Sequence, residues 1–196
     1  RSRYLFIRQH RARFADWTIP VLRGVIDEAG GSPFWDGLAG KFFGMSFQEA
    51  DEFNALAGNQ FIADLMPKHP IYTAMLPESA RAVIGVPHPT GRAAMRMLET
   101  EGFVHDKYID IFDGGPTMVA HTDRIRSIET ASVQRIDRIE ENEGERRLAS
   151  CGRLIDFRAA YARITAVADD AIVIDPEGAA LLNAGPGDLI CHVGRA

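Results

Sequence analysis

The sequence predicts an α+β protein in which a long, helix-rich part is followed by a small β-rich C-terminal unit. Three observations carry this expectation. Short segments with helix-capping signatures follow one another from Ser32 to Gly102. Strand-like runs bounded by turn residues begin near Tyr108. After about Ile128 the composition shifts to a charged stretch followed by short β-branched runs. The chain is therefore divided into residues 1–128 and residues 129–196.

Taken in order, Arg1 to Asp16 reads as a helix already under way, with Leu5, Phe6 and Phe14 on an apolar side. Val21 to Asp27 reads as a strand with Pro20 at its edge, and Gly30-Gly31 as a turn. Ser32 is a good N-cap and Pro33 suits the first helical position, so a helix is expected through Phe42-Phe43 up to Gly44. Ser46-Phe47-Gln48-Glu49 is a capping-box sequence that opens a helix ending near Gly58. Short helices are expected from Gln60 to Met66 and from Pro77 to Ile84. Pro89 opens a further helix, with His88 as its cap residue and Gly102 as its end.

Tyr108 to Phe112 and Thr117 to His121 read as strands around the turn Asp113-Gly114-Gly115-Pro116. Glu140 to Arg147 reads as a solvated loop. Phe157 to Val167 and Ala171 to Ile174 read as strands joined by a turn. Asp175-Pro176-Glu177 starts a short helix ending near Asn183, and Leu189 to Val193 is a last strand.

The 196 residues carry 22 Lys and Arg against 27 Asp and Glu, a formal net charge of -5. No basic excess is available to neutralise phosphates, which argues against general nucleic-acid binding. No run approaches the roughly 20 apolar residues of a membrane span. Two cysteines, Cys151 and Cys191, give neither a disulfide framework nor a zinc-finger spacing. They read as small buried apolar residues in a reducing, cytoplasmic setting. The chain opens at Arg1 without an initiator Met or a signal-peptide pattern, so it reads as a fragment or as one piece of a larger protein.

Six histidines are present, but none forms a His-x-x-x-His pair, and no metal site is expected. Nucleophile elbows and phosphate loops are absent as well. His88 stands out, in Gly85-Val86-Pro87-His88-Pro89. Pro89 forces it into an extended conformation, and a helix starting at Pro89 would set its ring at the positive end of a dipole. That disfavours imidazolium and suits a general base. The residues alone leave two readings open: a rigid loop in which His88 only caps a helix, and a catalytic imidazole. His69 and Lys68, between Pro67 and Pro70, read as a surface loop. Asp110 and Asp113 could grip a guanidinium or simply build a turn. Phe34, Trp35, Phe42 and Phe43 read as core.

Three longer stretches carry a resemblance. They are Leu22-Arg23-Gly24-Val25-Ile26-Asp27-Glu28 with Ser32-Pro33-Phe34-Trp35, the run from Phe61 to Tyr72, and the run from Tyr108 to Pro116. Together they resemble the bacterial arginine N-succinyltransferase family, from the first helix to about Ile128 and more weakly beyond. The resemblance implies a partial GNAT-like acyltransferase fold with an appended C-terminal part. It implies succinyl transfer from succinyl-CoA, a co-substrate rather than a resident cofactor, to the α-amine of L-arginine in arginine catabolism. It implies a homo- or hetero-oligomer with no nucleic-acid or membrane partner. The family's proton-donor histidine falls on His88.

The GNAT-type Arg-x-x-Gly-x-Gly turn, which cradles the CoA pyrophosphate, would lie before Arg1, so the residues that bind CoA are not identified. The alternative expectation is a non-catalytic or incomplete partner subunit of such an enzyme.

Overall fold

The computed structural model describes residues 1–194. In chain order its strands are β1 Trp17–Thr18, β2 Val104–Ile109, β3 Pro116–His121, β4 Ser132–Ile139, β5 Glu145–Cys151, β6 Arg158–Ala168, β7 Ala171–Ile174 and β8 Leu189–Val193. The chain forms two compact units. One comprises Arg1–Thr18, Thr100–Gly102 and the residues from His121 onward; the other comprises Ile19–Glu99 and Phe103–Ala120.

In the first unit, five strands close a barrel in the order β4-β7-β6-β5-β8. The pair β4–β7 is parallel and the other pairs are antiparallel. Alternation along β6 buries Ala162 and Ile164 and turns Arg163 outward. These two join Ile136, Ile172, Ile174 and Ile190 in one apolar cluster. The helix Pro176–Leu182 plugs this cluster with Ala179 and Leu182. Asp175 caps it by accepting from Gly178 N, while its other oxygen accepts from Arg163 N at 2.7 Å and fixes the helix start on β6. Asn183, at φ 53°, ends it.

The opening helix, Ser2–Gln9, belongs to the same unit because fully buried Leu5 packs with Ala131, Leu148, Cys191 and Val193. It is shorter than its sequence reading: a 3-10 turn, Arg11–Arg13, succeeds it. Cys191 is buried as expected, and desolvation pushes its thiol up to about 11. Cys151 is only half-buried.

A second anchor is Glu101, which is 4% exposed. Its carboxylate accepts from Ser127 N (2.8 Å), from Ser127 Oγ (2.7 Å) and from Arg1 Nε (2.9 Å). Glu101→Gln removes the charge and places an amide group where an acceptor is required. We expect a loss of about 2 kcal/mol, read from the shift in urea midpoint; a midpoint within error of the parent would count against this anchoring role.

Two elements of the barrel differ from the sequence reading. Glu140 to Arg147 is not all loop, since β5 begins at Glu145, and β4 was not anticipated. Polar and charged residues fill most of β4 and the first three positions of β5, so neither strand shows an apolar alternation.

In the second unit the hairpin β2–β3 pairs Val104 with Val119 and Ile109 with Pro116. The register shifts between His105 and Ile109, where Lys107 adopts φ 62°. The helix expected from Ser32 to Phe43 is two helices, Pro33–Gly37 and Gly40–Phe43. The break comes after Gly37, a weak helix former that lies against Ala80, where a Cβ would come within 2.4 Å of the alanine methyl.

Ser32 does cap the first helix, and Ser46 and Glu49 form the anticipated capping box at the head of Phe47–Ala57. Trp35 is fully buried, stacked between Phe43 and Phe112 at 5.4 and 5.3 Å, and its Nε1 donates to Met45 O. Phe34 is buried too, whereas Phe42 is 47% exposed and does not belong to the core.

Val21 to Asp27 is extended but is not a strand. Val21 forms a single bridge to Thr117, and Leu22 N donates to Pro116 O. The next N–H on that side, at Gly24, goes to a side chain, so the ladder stops there.

Candidate active site

The loop from Asp110 to Gly115 is closed by its own backbone. Asp110 N donates to Gly115 O and Gly114 N to Asp110 O, both at 2.9 Å. Asp110 Oδ1 accepts from Phe112 N at 2.7 Å, an Asx turn. Asp113 is 8% exposed, and both its oxygens are committed to backbone: Oδ2 accepts from Gly24 N at 2.7 Å and Oδ1 from Gly115 N at 2.8 Å. Two main-chain segments thus cross at Gly24 and Gly115 at a separation that no Cβ permits.

The same crossing holds the segment that carries His88. Gly85 N donates to Gly114 O at 2.8 Å, and His88 N donates to Arg23 O at 2.8 Å. With Pro87 and Pro89 on either side, the His88 backbone has little freedom. Its ring is half-buried. Nδ1 lies 2.7 Å from Thr90 Oγ1 and accepts from Thr90 N at 3.3 Å. His88 is therefore a cap residue, as expected. The element it caps is a single 3-10 turn, Pro89–Gly91, and the α-helix Arg92–Thr100 begins only after that turn. One short turn places a weaker dipole at the ring than the continuous helix expected from Pro89.

Arg23 also lines a cleft of about 530 Å³. Leu22 and Arg23 form one side, Phe47, Asp51 and Asn54 of the helix Phe47–Ala57 another, and Asp110 with Phe112 a third. The lining mixes carboxylates, amides and a guanidinium with aromatic walls, which suits a small, polar, charged ligand. Asp51 and Asn54 sit one turn apart on one helix face, so they point into the cleft together.

Of the residues singled out in the sequence, Asp110 and Asp113 both line the cleft, and His88 stands outside the lining, bonded through its backbone to Arg23. Both Asp113 oxygens are taken by backbone N–H groups at the crossing, so only Asp110 of the two keeps an oxygen free of them. His69 is exposed, and Lys68 Nζ donates to Ala63 O in the last turn of the helix Gln60–Leu65, as a surface loop requires. Sequence reasoning missed Arg23, Asp51 and Asn54. Only the i, i+3 spacing of the last two hinted at a shared polar face. Among the described residues no group of three His, Cys, Asp or Glu is placed to hold a metal ion. Among the same residues no helix is long and apolar enough to cross a membrane.

The structure is thus of the α+β class, with a polar cleft lined by Arg23 and a histidine whose backbone is bonded to that arginine. Comparison with known proteins narrows this. A family model described as arginine N-succinyltransferase beta subunit matches residues 1–127, and one for the C-terminal domain of that subunit matches residues 129–194. The chain belongs to the arginine N-succinyltransferase family.

It is 40% identical over 191 residues to an arginine N-succinyltransferase of Yersinia enterocolitica, a match covering 96% of this chain and 55% of that protein. It is 49% identical over 128 residues to the arginine N-succinyltransferase subunit beta of Pseudomonas aeruginosa, covering 65% of this chain and 38% of that one. The solved structure of the arginine/ornithine succinyltransferase subunit AI from Pseudomonas aeruginosa superposes with a TM-score of 0.83 at 35% identity, over 98% of this chain and 55% of that chain. The chain thus spans about half the length of the first of these proteins and of the solved structure.

Proposed function

We propose that this chain carries the acid–base residue and the amine-binding side of an arginine N-succinyltransferase, with His88 exchanging the proton. The observation that supports this best is the bond from His88 N to Arg23 O, which ties the backbone of the histidine to a residue that lines the polar cleft. Membership of the family and a fold shared with a succinyltransferase subunit support the same reading.

The α-ammonium of arginine is largely protonated near pH 7, since α-amines titrate at about 7.7–8.0. The His88 imidazole takes one proton, and the freed nitrogen lone pair attacks the thioester carbonyl of succinyl-CoA. The C–N bond forms and the C–S bond breaks. The imidazolium returns its proton to the departing thiolate, and the new amide nitrogen loses its extra proton to water. Proton exchange of this kind contributes roughly 10²–10⁴-fold. In the cleft, Asp51 and Asp110 are the carboxylates open to a guanidinium, in place of the Asp110–Asp113 pair.

A second reading is favoured by length: a chain spanning about half of a relative can act as an incomplete part of an assembly. One of the relatives is itself called a subunit. On either reading we expect the protein to act in the cytoplasm as part of an oligomer, with succinyl-CoA as co-substrate and no resident cofactor.

Thiol release from succinyl-CoA in the presence of arginine tests both. Release by the chain alone favours the first reading; release only when the remainder of the family polypeptide is supplied favours the second. In whichever form is active, His88→Ala is expected to lower turnover by about a hundredfold while succinyl-CoA binding stays near normal. Unchanged turnover would remove His88 from the mechanism.

A further inference from the structure

We infer that the Arg23 guanidinium receives the carboxylate of the amino-acid substrate and so decides which amines the cleft accepts; this rests on the reading of the cleft as the amine-binding side. The cleft is lined by charges of both signs that do not neutralise one another. Arg23 shares the lining with Asp51, Asp110 and Asp113. Among the described residues no ion pair joins its guanidinium to these or to any other acid. Asp113 is spent on the N–H groups of Gly24 and Gly115, and Asp110 gives one oxygen to Phe112 N. Arg23 and Asp51 are both exposed. Opposite charges that closed on each other would fill the cleft. Held apart, they offer each end of a doubly charged ligand a partner of opposite sign.

Both substrates of the proposed reaction bring a free carboxylate. Arginine carries one on its α-carbon, and succinyl-CoA carries one at the far end of its acyl chain. The lining favours the first. A succinyl group has no cation to set against Asp51 and Asp110, whereas arginine presents a guanidinium at one end and a carboxylate at the other. No other basic residue lines the cleft, so a carboxylate held there goes to Arg23. Its planar fork matches the two carboxylate oxygens with parallel N–H donors.

The backbone supplies a second argument. The α-carboxylate and the α-amine hang on one carbon, so a grip on the first confines the second. Arg23 O accepts from His88 N at 2.8 Å. The residue that grips the carboxylate is therefore joined to the residue proposed to exchange the amine's proton. That bond uses only the Arg23 carbonyl, so substitution of the side chain leaves it in place.

The test is titration of the 196-residue chain with L-arginine and with L-argininamide, which keeps the guanidinium and the α-amine but replaces the carboxylate by a neutral amide. The parent is expected to prefer L-arginine by about tenfold or more. Arg23→Gln is expected to remove most of that preference, and Arg23→Lys, which keeps the charge without the fork, to retain part of it. An Arg23→Gln protein with the parental preference overturns the inference, and so does one that loses both ligands in equal measure. In the active form, turnover with succinyl-CoA and with butyryl-CoA separates the two carboxylates. Arg23→Gln is expected to keep the parental preference between these donors; losing it, with the arginine preference intact, assigns Arg23 to the succinyl group and overturns the inference. A parent chain that binds neither amine defeats the proposed amine-binding side and this inference together, whereas a parent that binds L-arginine while Arg23→Gln keeps its preference defeats the inference alone.

Discussion

Gly115→Ala is expected to unfold the unit that carries His88. A Cβ at that position would lie 2.1 Å from Leu22 O and 2.6 Å from Gly24 N, both backbone atoms, and 2.8 Å from Asp113 Oδ1. No flexible side chain stands in the way to be moved aside. Relief requires the two crossing segments to separate, and that breaks the pair of bonds that Asp113 makes to Gly24 and Gly115.

A buried carboxylate without those donors is costly by itself, at roughly 1–3 kcal/mol or more. With the steric term, the total should exceed about 4 kcal/mol, a large share of the stability of an ordinary domain. Gly58→Ala is the control. Gly58 has φ 75° and ψ -180° but nothing within 4 Å of its Cβ position, so only the backbone penalty, roughly 1–3 kcal/mol, applies. Amide spectra and melting temperature distinguish the two. A Gly115→Ala protein as stable as Gly58→Ala would refute the crossing as an essential support.

Acid is expected to loosen the barrel well above the usual carboxylate range. His192 is 2% exposed. Its Nε2 lies 2.8 Å from Gln134 Oε1, and Arg147 Nη1 lies 3.4 Å from Nδ1. Nδ1 faces a donor and Nε2 an acceptor, so the ring is neutral with its proton on Nε2. Burial lowers its titration from 6.5 to about 4, helped by the Arg147 charge and opposed by Glu145.

Between these values the unfolded chain binds a proton that the folded barrel refuses, so stability falls as pH falls. The contribution is complete above pH 6.5 and gone below about 4. A shift of this size corresponds to about 3 kcal/mol. Urea midpoints at several pH values, read from the amide signals of β4 and β8, should fall across that window. His192→Gln, which cannot charge, should flatten the slope. An equal slope in the variant would assign the acid sensitivity to other groups.

Much of the fold was legible where local chemistry decides structure. Ser32, Ser46 and Asp175 cap helices as their sequence contexts predict, because a cap depends on residues within a single turn. The final strand and the β6–β7 hairpin were legible because they are short runs rich in apolar and β-branched residues bounded by turn residues. β4 was not, since most of its residues are polar or charged and only pairing with β7 and β8 makes it a strand. Val21 to Asp27 failed for the opposite reason. Its pattern suits a strand, but Asp113, far along the chain, takes the hydrogen bond a neighbouring strand would have made.

The candidate site divides in the same way. His88 showed itself through the two prolines beside it. The cleft joins Arg23, Asp51 and Asp110 from three separate parts of the chain, and no local pattern announces such a meeting. The choice between Asp110 and Asp113 rested on tertiary hydrogen bonds alone.

The single parallel seam of the barrel has a consequence for synthesis. β4 leaves the ribosome with neither of its neighbours yet made, since it is flanked in space by β7 and β8, both much later in the chain. Its unpaired edges stay open while the β5–β6 hairpin can already zip locally. Ring closure is thus a late, long-range event, and the nascent chain is most vulnerable to aberrant strand pairing in the interval between translation of residue 139 and residue 189.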